Sequence, residues 1–167
     1  MYSFIMLSIM SGPILAEKIP EARVKVGFIY NFIKLIKPVK PLNNHYTLCV
    51  IGRSSMRQYL PELNKQQVHG VTIDSIDISS GNSPILCDCL VIGEMDQPAI
   101  LGSLLTYAEN NGILTITDVS KNIHYNVIFY LKNLQGKLRF DVNLALARKA
   151  SFKLDANLLR LAHIVKQ

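Results

Sequence analysis

Three short runs, Tyr46–Ile51 (YTLCVI), Cys87–Gly93 (CDCLVIG) and Ile113–Thr117 (ILTIT), are dense in β-branched and apolar residues and show almost no polar alternation. A strand worded this way is buried on both faces, and the common way to bury both faces is a parallel sheet between helical layers. The intervening segments supply helices. Pro20 suits the first turn of a helix running to about Lys37, where Pro38 and Pro41 stop it. Ala22, Val26, Ile29, Ile33 and Ile36 form one apolar stripe of that helix, and Val24, Phe28, Phe32 and Leu35 form another. A helix apolar on two faces needs cover on two sides, from the sheet and from another helix or a second subunit, with the subunit favoured. A second helix is expected to start at Ser54 or Ser55, and a third to run from Pro98 through Asn110, closed by Asn111-Gly112.

Two regions depart from the fully buried pattern. In Val71–Ile78 (VTIDSIDI) the alternation breaks between Ile73 and Ile76, which predicts an edge strand or a bulge before the SSGNSP turn. Tyr125–Leu131 and Lys137–Val142 read as a hairpin joined by KNLQG. Asn143 then caps a short helix over Leu144–Lys149. Asp155 caps a closing amphipathic helix, with Leu154 placed to staple onto Leu159. Leu158, Leu161, Ala162 and Val165 would share its apolar face. The expectation is an α/β fold: a mixed, mostly parallel sheet with helices on both faces, a Rossmann-like three-layer sandwich with a C-terminal hairpin and helices.

At 167 residues and 18.7 kDa, a single domain over residues 20–167 is expected. The basic residues behind the +6 net charge are scattered along the chain, which reads as a solvated surface. No motif of a nucleic-acid binder accompanies them. Phe4–Leu15 is an apolar run shorter than the ~20 residues that span a bilayer, it ends at Ala16, and EKIPEARVK follows. Residues 1–16 thus read as a secretory signal; the alternative is an apolar segment that packs or anchors.

Cys49 lies in the first buried run, and Cys87 and Cys89 begin the next. Strand alternation would turn Cys87 and Cys89 the same way, so either could meet Cys49 on a neighbouring strand. With export, one disulfide is expected; the alternative is three buried thiols acting as small hydrophobes. Zinc would need a further ligand from His45, His69, His124 or His163, which are not clustered, so no metal and no cofactor is expected. Gly52, Arg53, Ser54, Gly93, Glu94 and Asp118 all follow strands and would gather at the carboxyl edge of a parallel sheet, where open α/β folds bind ligands. Strand, Gly, Ser, helix also suits an anion, yet neither GxGxxG nor a Walker sequence is present. No catalytic triad, nucleophile elbow or carboxylate pair can be assembled, and Asp74 and Asp77 read as surface residues of a strand.

The wording of the last third, RFDVNL, then ALARKA, then LLRLA, resembles the C-terminal signature of the YfiR family. Tyr30, Asn31, Phe32, Lys34 and Pro38 resemble that family's opening motif, with Lys37 standing where the family usually carries Trp. The resemblance extends over roughly Ala22–Val165. It implies a non-enzymatic periplasmic protein that binds the periplasmic domain of a membrane-bound diguanylate cyclase, holds it inactive, and is sequestered by an outer-membrane lipoprotein. It also implies a homodimer, and laid over CDCLVI it selects Cys87 as the partner of Cys49. The rival reading is a periplasmic small-molecule-binding component of a sensor or uptake system that uses the Gly52, Gly93 and Asp118 edge.

Overall fold

The computed structural model describes residues 18–79, 86–120 and 126–167. The expected signal segment and most of the SSGNSP turn lie outside them. In chain order the elements are α1 (Glu21–Leu35), β1 (His45–Ile51), a 3-10 turn (Leu60–Leu63), β2 (Gln67–Val68), β3 (Val71–Asp77), β4 (Cys89–Ile92) and α2 (Pro98–Asn110). Then follow β5 (Leu114–Thr117), β6 (Phe129–Leu134), β7 (Lys137–Asn143), α3 (Leu144–Lys149), α4 (Ala156–Leu161) and β8 (Ile164–Lys166). All eight strands join one sheet in the order β2-β3-β1-β4-β5-β6-β7-β8. Only the β2–β3 and β6–β7 pairs are antiparallel.

The three apolar runs became neighbouring parallel strands in the middle of the sheet. Their alternation splits the interior in two. Cys89, Val91, Leu114 and Ile116 join α1 and Phe152 in one core; Leu90, Ile92 and Cys49 join Leu104 and Ala108 of α2 in the other. The sheet is therefore sandwiched, as expected. On α1 the first stripe is buried and much of the second is too: Phe32 stacks on Phe129 with centroids 4.3 Å apart, and Phe28 meets Phe32 and Phe140 edge-on. Only Val24 and Leu35 of that second stripe stay exposed.

Four local expectations are corrected. No α-helix starts at Ser54 or Ser55; turns lead into Leu60–Leu63, because Pro61 can donate no helical hydrogen bond. β3 carries no bulge, pairing with β1 without interruption from Thr72 to Asp77, and it lies one place inside the two-residue β2. The hairpin turn is tighter than KNLQG, since Lys132 to Leu134 belong to β6 and only Gln135 and Gly136 turn, both at positive φ. Finally, α4 ends at Leu161, and Ile164–Lys166 leaves the helix to pair with β7 in parallel. The 3.6-residue period yields there to the open edge of β7, whose Phe140 carbonyl accepts from the His163 amide at 2.8 Å.

The caps form where expected. Asn143 Oδ1 accepts from the Leu146 amide at 3.0 Å, and Asp155 Oδ1 accepts from the Asn157 amide at 2.7 Å.

Candidate functional site

Strand order reverses between β1 and β4, because the chain leaves β1 toward β3 on one side and returns to β4 on the other. Such a switch point leaves a crevice beyond the carboxyl ends of the strands. Here it opens into a cleft of about 900 Å³, lined among others by Gly52, Arg53, Ser54 and Glu94. Two glycines let its walls meet. A Cβ on Gly93 would sit 2.5 Å from the Arg53 carbonyl carbon and oxygen, and one on Gly52, at φ +74°, would sit 2.7 Å from the Glu94 carbonyl oxygen. That closeness permits a two-way backbone bridge: the Arg53 amide donates to Glu94 at 2.8 Å, and the Glu94 amide donates to Arg53 at 2.9 Å.

The side chains over this bridge form two ion-paired clusters. Arg53 donates through both terminal nitrogens to Asp96 at 2.6 and 2.8 Å, with a Glu94 oxygen 3.6 Å away. The Asp96 hydrogen bonds hold the Arg53 guanidinium still further above its ordinary value. Arg57 meets Asp77 at 2.8 Å and also donates to the Gly52 carbonyl and to Ser79 Oγ. The Ser79 amide, donating to Asp77, holds that carboxyl below its usual range, and Arg57 adds to the effect. Both guanidiniums already face protein carboxylates, so an incoming anion would have to compete for them. Ile51, Ile78, Met95 and Ile100 give the cleft an apolar side. The arrangement suits a small molecule with an apolar body and a few polar groups.

A phosphate loop needs a helix start after the strand, and turns follow Ser54 instead, whose Oγ accepts from the Met56 amide at 3.2 Å. α2 opens on Pro98, which has no amide to offer.

Asp118 is not in this cleft. It faces α1, where its carboxylate meets Lys25 Nζ at 3.0 Å, and both side chains are nearly buried. Lys25 also pairs with Glu21 at 2.8 Å, and Glu21 accepts from Asn133 at 2.6 Å, so the end of β5, the first turn of α1 and the end of β6 are tied together. Sequence reading passed over Arg57, Ser79 and Asp96 and took Asp77 as a surface residue of a strand; it is an exposed strand residue and also pairs with Arg57. The available signal was position, since Asp77, Ser79 and Asp96 lie within a few residues of an expected strand end.

Cys49 and Cys87 form a disulfide, with Cα atoms 5.7 Å apart, and Cys89 is a buried free thiol. Cys87 and Cys89 do not face the same way: Cys87 lies in the α2-side core and Cys89 in the α1-side core. β4 begins only at Cys89, so strand alternation never extends back to Cys87. Burial pushes the Cys89 thiol up, far from the thiolate that would make it reactive. Among the described residues, no three His, Cys, Asp or Glu side chains cluster closely enough to hold a metal ion. None of their helices is long and apolar enough to cross a membrane.

No curated protein matches the chain. Solved structures with the same fold include an ABC domain in complex with L-Trp from Streptococcus pneumonia, 12% identical, with a TM-score of 0.54 over 86% of this chain. A conserved domain protein from Vibrio cholerae O1 biovar El Tor is 9% identical, with a TM-score of 0.54 over 87% of this chain. This chain spans 60% of the length of each, and at such identity the likeness concerns the fold alone. The family profile described as YfiR/HmsC-like matches residues 22–163, nearly all of the described chain, and the protein therefore belongs to the YfiR/HmsC-like family.

Proposed function

We propose that the protein is a periplasmic negative regulator that binds the periplasmic sensor region of an inner-membrane diguanylate cyclase and lowers cyclic di-GMP production. The observation that carries this reading is the family match over residues 22–163, which takes in both the opening helix and the Asn143-capped turn from β7 into α3. A protein of this kind acts by differential binding: it shifts the cyclase toward its inactive conformation by as much as it prefers that conformation, and it turns over no substrate. An outer-membrane lipoprotein that captures the regulator would relieve repression by competing for it. A homodimer fits the reading, with Val24 and Leu35 of α1 as exposed apolar candidates for the contact. Deleting the gene and measuring intracellular cyclic di-GMP tests the proposal. A rise reversed only by an exported copy supports it, and an unchanged level in cells expressing the cognate cyclase rejects it.

A second reading, a periplasmic small-molecule-binding component of a sensor or uptake system, is favoured by the cleft at the β1–β4 switch point. Gly52, Arg53, Ser54, Gly93 and Glu94 would be its ligand-binding residues, with Asp118 a positioning residue for α1. A transporter or sensor kinase encoded beside the gene, in place of a membrane-bound cyclase, would shift the balance to this reading.

A further inference from the structure

The basic residues are scattered in sequence, yet their imbalance is local. Residues 132–167 hold eight of the 18 Lys and Arg but only two of the 12 Asp and Glu, so this stretch alone accounts for the chain's +6. One of its two carboxylates, Asp141, is matched by Lys132 and by His163, whose Nδ1 lies 3.3 Å away; the other, Asp155, caps α4. The same stretch ends in β8, and among the described residues no strand lies beyond it. At the opposite end of the sheet β2 is only two residues long, and the rest of the β3 edge is covered. There the Asn64 side chain accepts from the Ser75 amide at 2.8 Å, and Lys65 and Gln66 exchange backbone hydrogen bonds with Ile73. Around β8, Leu161 is 69% exposed and Ile164 50%. A groove of about 290 Å³, lined by Tyr130, Lys132, Asp141, Ile164 and Lys166, runs beside it on the sheet face.

We propose that β8 and its cationic surround are the docking edge for an extended acidic segment of a protein partner, which adds to the sheet as a ninth strand. This rests on the regulator reading and names the surface through which that regulator acts. A strand edge offers backbone N–H and C=O groups, which another strand satisfies and a lipid headgroup does not. Alternate side chains of such a strand would meet Ile164 and the groove, while carboxylates on it would meet Arg160, Lys166 and Arg139. A second copy of this chain is the wrong occupant, because two-fold pairing of β8 would bring like charges together.

The test uses the full exported chain and two probes. The first is the periplasmic domain of the cyclase, titrated calorimetrically against wild type and the Arg160→Glu/Lys166→Glu double variant. The expected result is a loss of about tenfold in the variant, with the wild-type affinity falling as salt is raised. Equal affinity for wild type and variant overturns the β8 assignment and leaves the regulator reading standing. The second probe is an eight-residue peptide of alternating Val and Glu, followed by amide NMR. Shifts confined to Phe140–Asn143 and His163–Lys166, absent with the Val-Lys counterpart, support the edge even where the cyclase domain fails to bind; that failure counts against the regulator reading alone. No shifts there, self-association abolished by the double variant, or binding to phosphatidylglycerol vesicles without any peptide response each overturn the proposal.

Discussion

Between β1 and β4 the chain adds two locks to the strand ladder, the Cys49–Cys87 disulfide and the Arg53–Glu94 backbone bridge, whereas β6 and β7 are held to α1 through phenyl rings and β8 is held through its pairing with β7. Charge divides along the same line. Residues 1–131 carry ten basic and ten acidic residues, and the remainder carries the net excess. The locked half surrounds the cleft, and its arginines are engaged by carboxylates of the same chain. Among the described residues, the terminal part leaves the β8 edge without a further strand and carries more basic than acidic residues. Rigidity sits where a pocket needs fixed walls, and the net positive charge sits where a partner can use it.

The comparison breaks most readily at Phe32. Its ring is 2% exposed, stacked on Phe129 and 5.0 Å from Phe140 edge-on, so Phe32→Ala leaves a void bordered by β6 and β7. A loss of about 4 kcal/mol is expected in urea unfolding at neutral pH. If the terminal half does rest on these rings, amide protection in β7 and β8 should fall further than in β1 and β4. Equal loss throughout would erase the distinction between the halves.

The disulfide tests the other half. It spans 38 residues of sequence, for which the chain-entropy estimate is about 4 kcal/mol, and engineered comparisons usually return less. The Cys49→Ala/Cys87→Ala variant should therefore lose about 3 kcal/mol, with amide protection lowered first in β1 and β4. Loss of protection in β8 instead would mean the two halves share one lock. Mass mapping of exported protein should find Cys49 joined to Cys87 and Cys89 free.

Gly93→Ala sharpens the picture at the cleft itself. The added methyl would meet backbone, which cannot rotate away, so the Arg53–Glu94 bridge must separate. About 2 kcal/mol should be lost. Amide exchange at Arg53 and Glu94 should rise, while residues 129–166 stay protected. A neutral substitution would show that the two loops are not held against each other in solution.

How much of this was legible in the sequence follows the range of the forces. The three central strands announced themselves because burial on both faces leaves a local composition, and Asn143 and Asp155 did so because a cap acts within three residues. The α2 boundaries could be read from Pro98 and Asn111-Gly112 for the same reason. β8 could not, because Leu158, Leu161, Ala162 and Val165 keep helical spacing and only the exposed edge of β7, set by distant pairing, pulls Ile164 into a strand. The same limit applies to the site. Chain position put Gly52, Arg53, Ser54, Gly93 and Glu94 at one edge, but which face a strand end turns to is a tertiary matter, and Asp118 turned to Lys25. Arg57 and Asp96 enter the cleft through ion pairs 20 and 43 residues away in sequence, to Asp77 and Arg53, which no local pattern encodes.

The smallest expected effect lies at the seam where α1 crosses from one half to the other. Lys25 and Asn133 hydrogen-bond the Glu21 carboxylate and hold it below its ordinary 4.5, so its contribution is present above that pH and lost as pH falls through the folded value. For Lys25, burial alone would lower the ammonium, but hydrogen bonds to Glu21 and Asp118 outweigh it and hold the group above its ordinary 10.5. That contribution is present below 10.5 and lost as pH rises through the folded value. Glu21→Gln should therefore cost a constant amount between about pH 5 and 10, of order 0.5 kcal/mol because Glu21 is half exposed. The gap between the two proteins should narrow as pH falls below 4.5 and close once wild-type Glu21, whose carboxyl is held below that value, takes up its own proton and resembles the amide. A gap that does not narrow at all below pH 4.5 would mean that Asn133, through shape and hydrogen bonding to a neutral group, holds α1 to β6, and that charge contributes nothing at the seam.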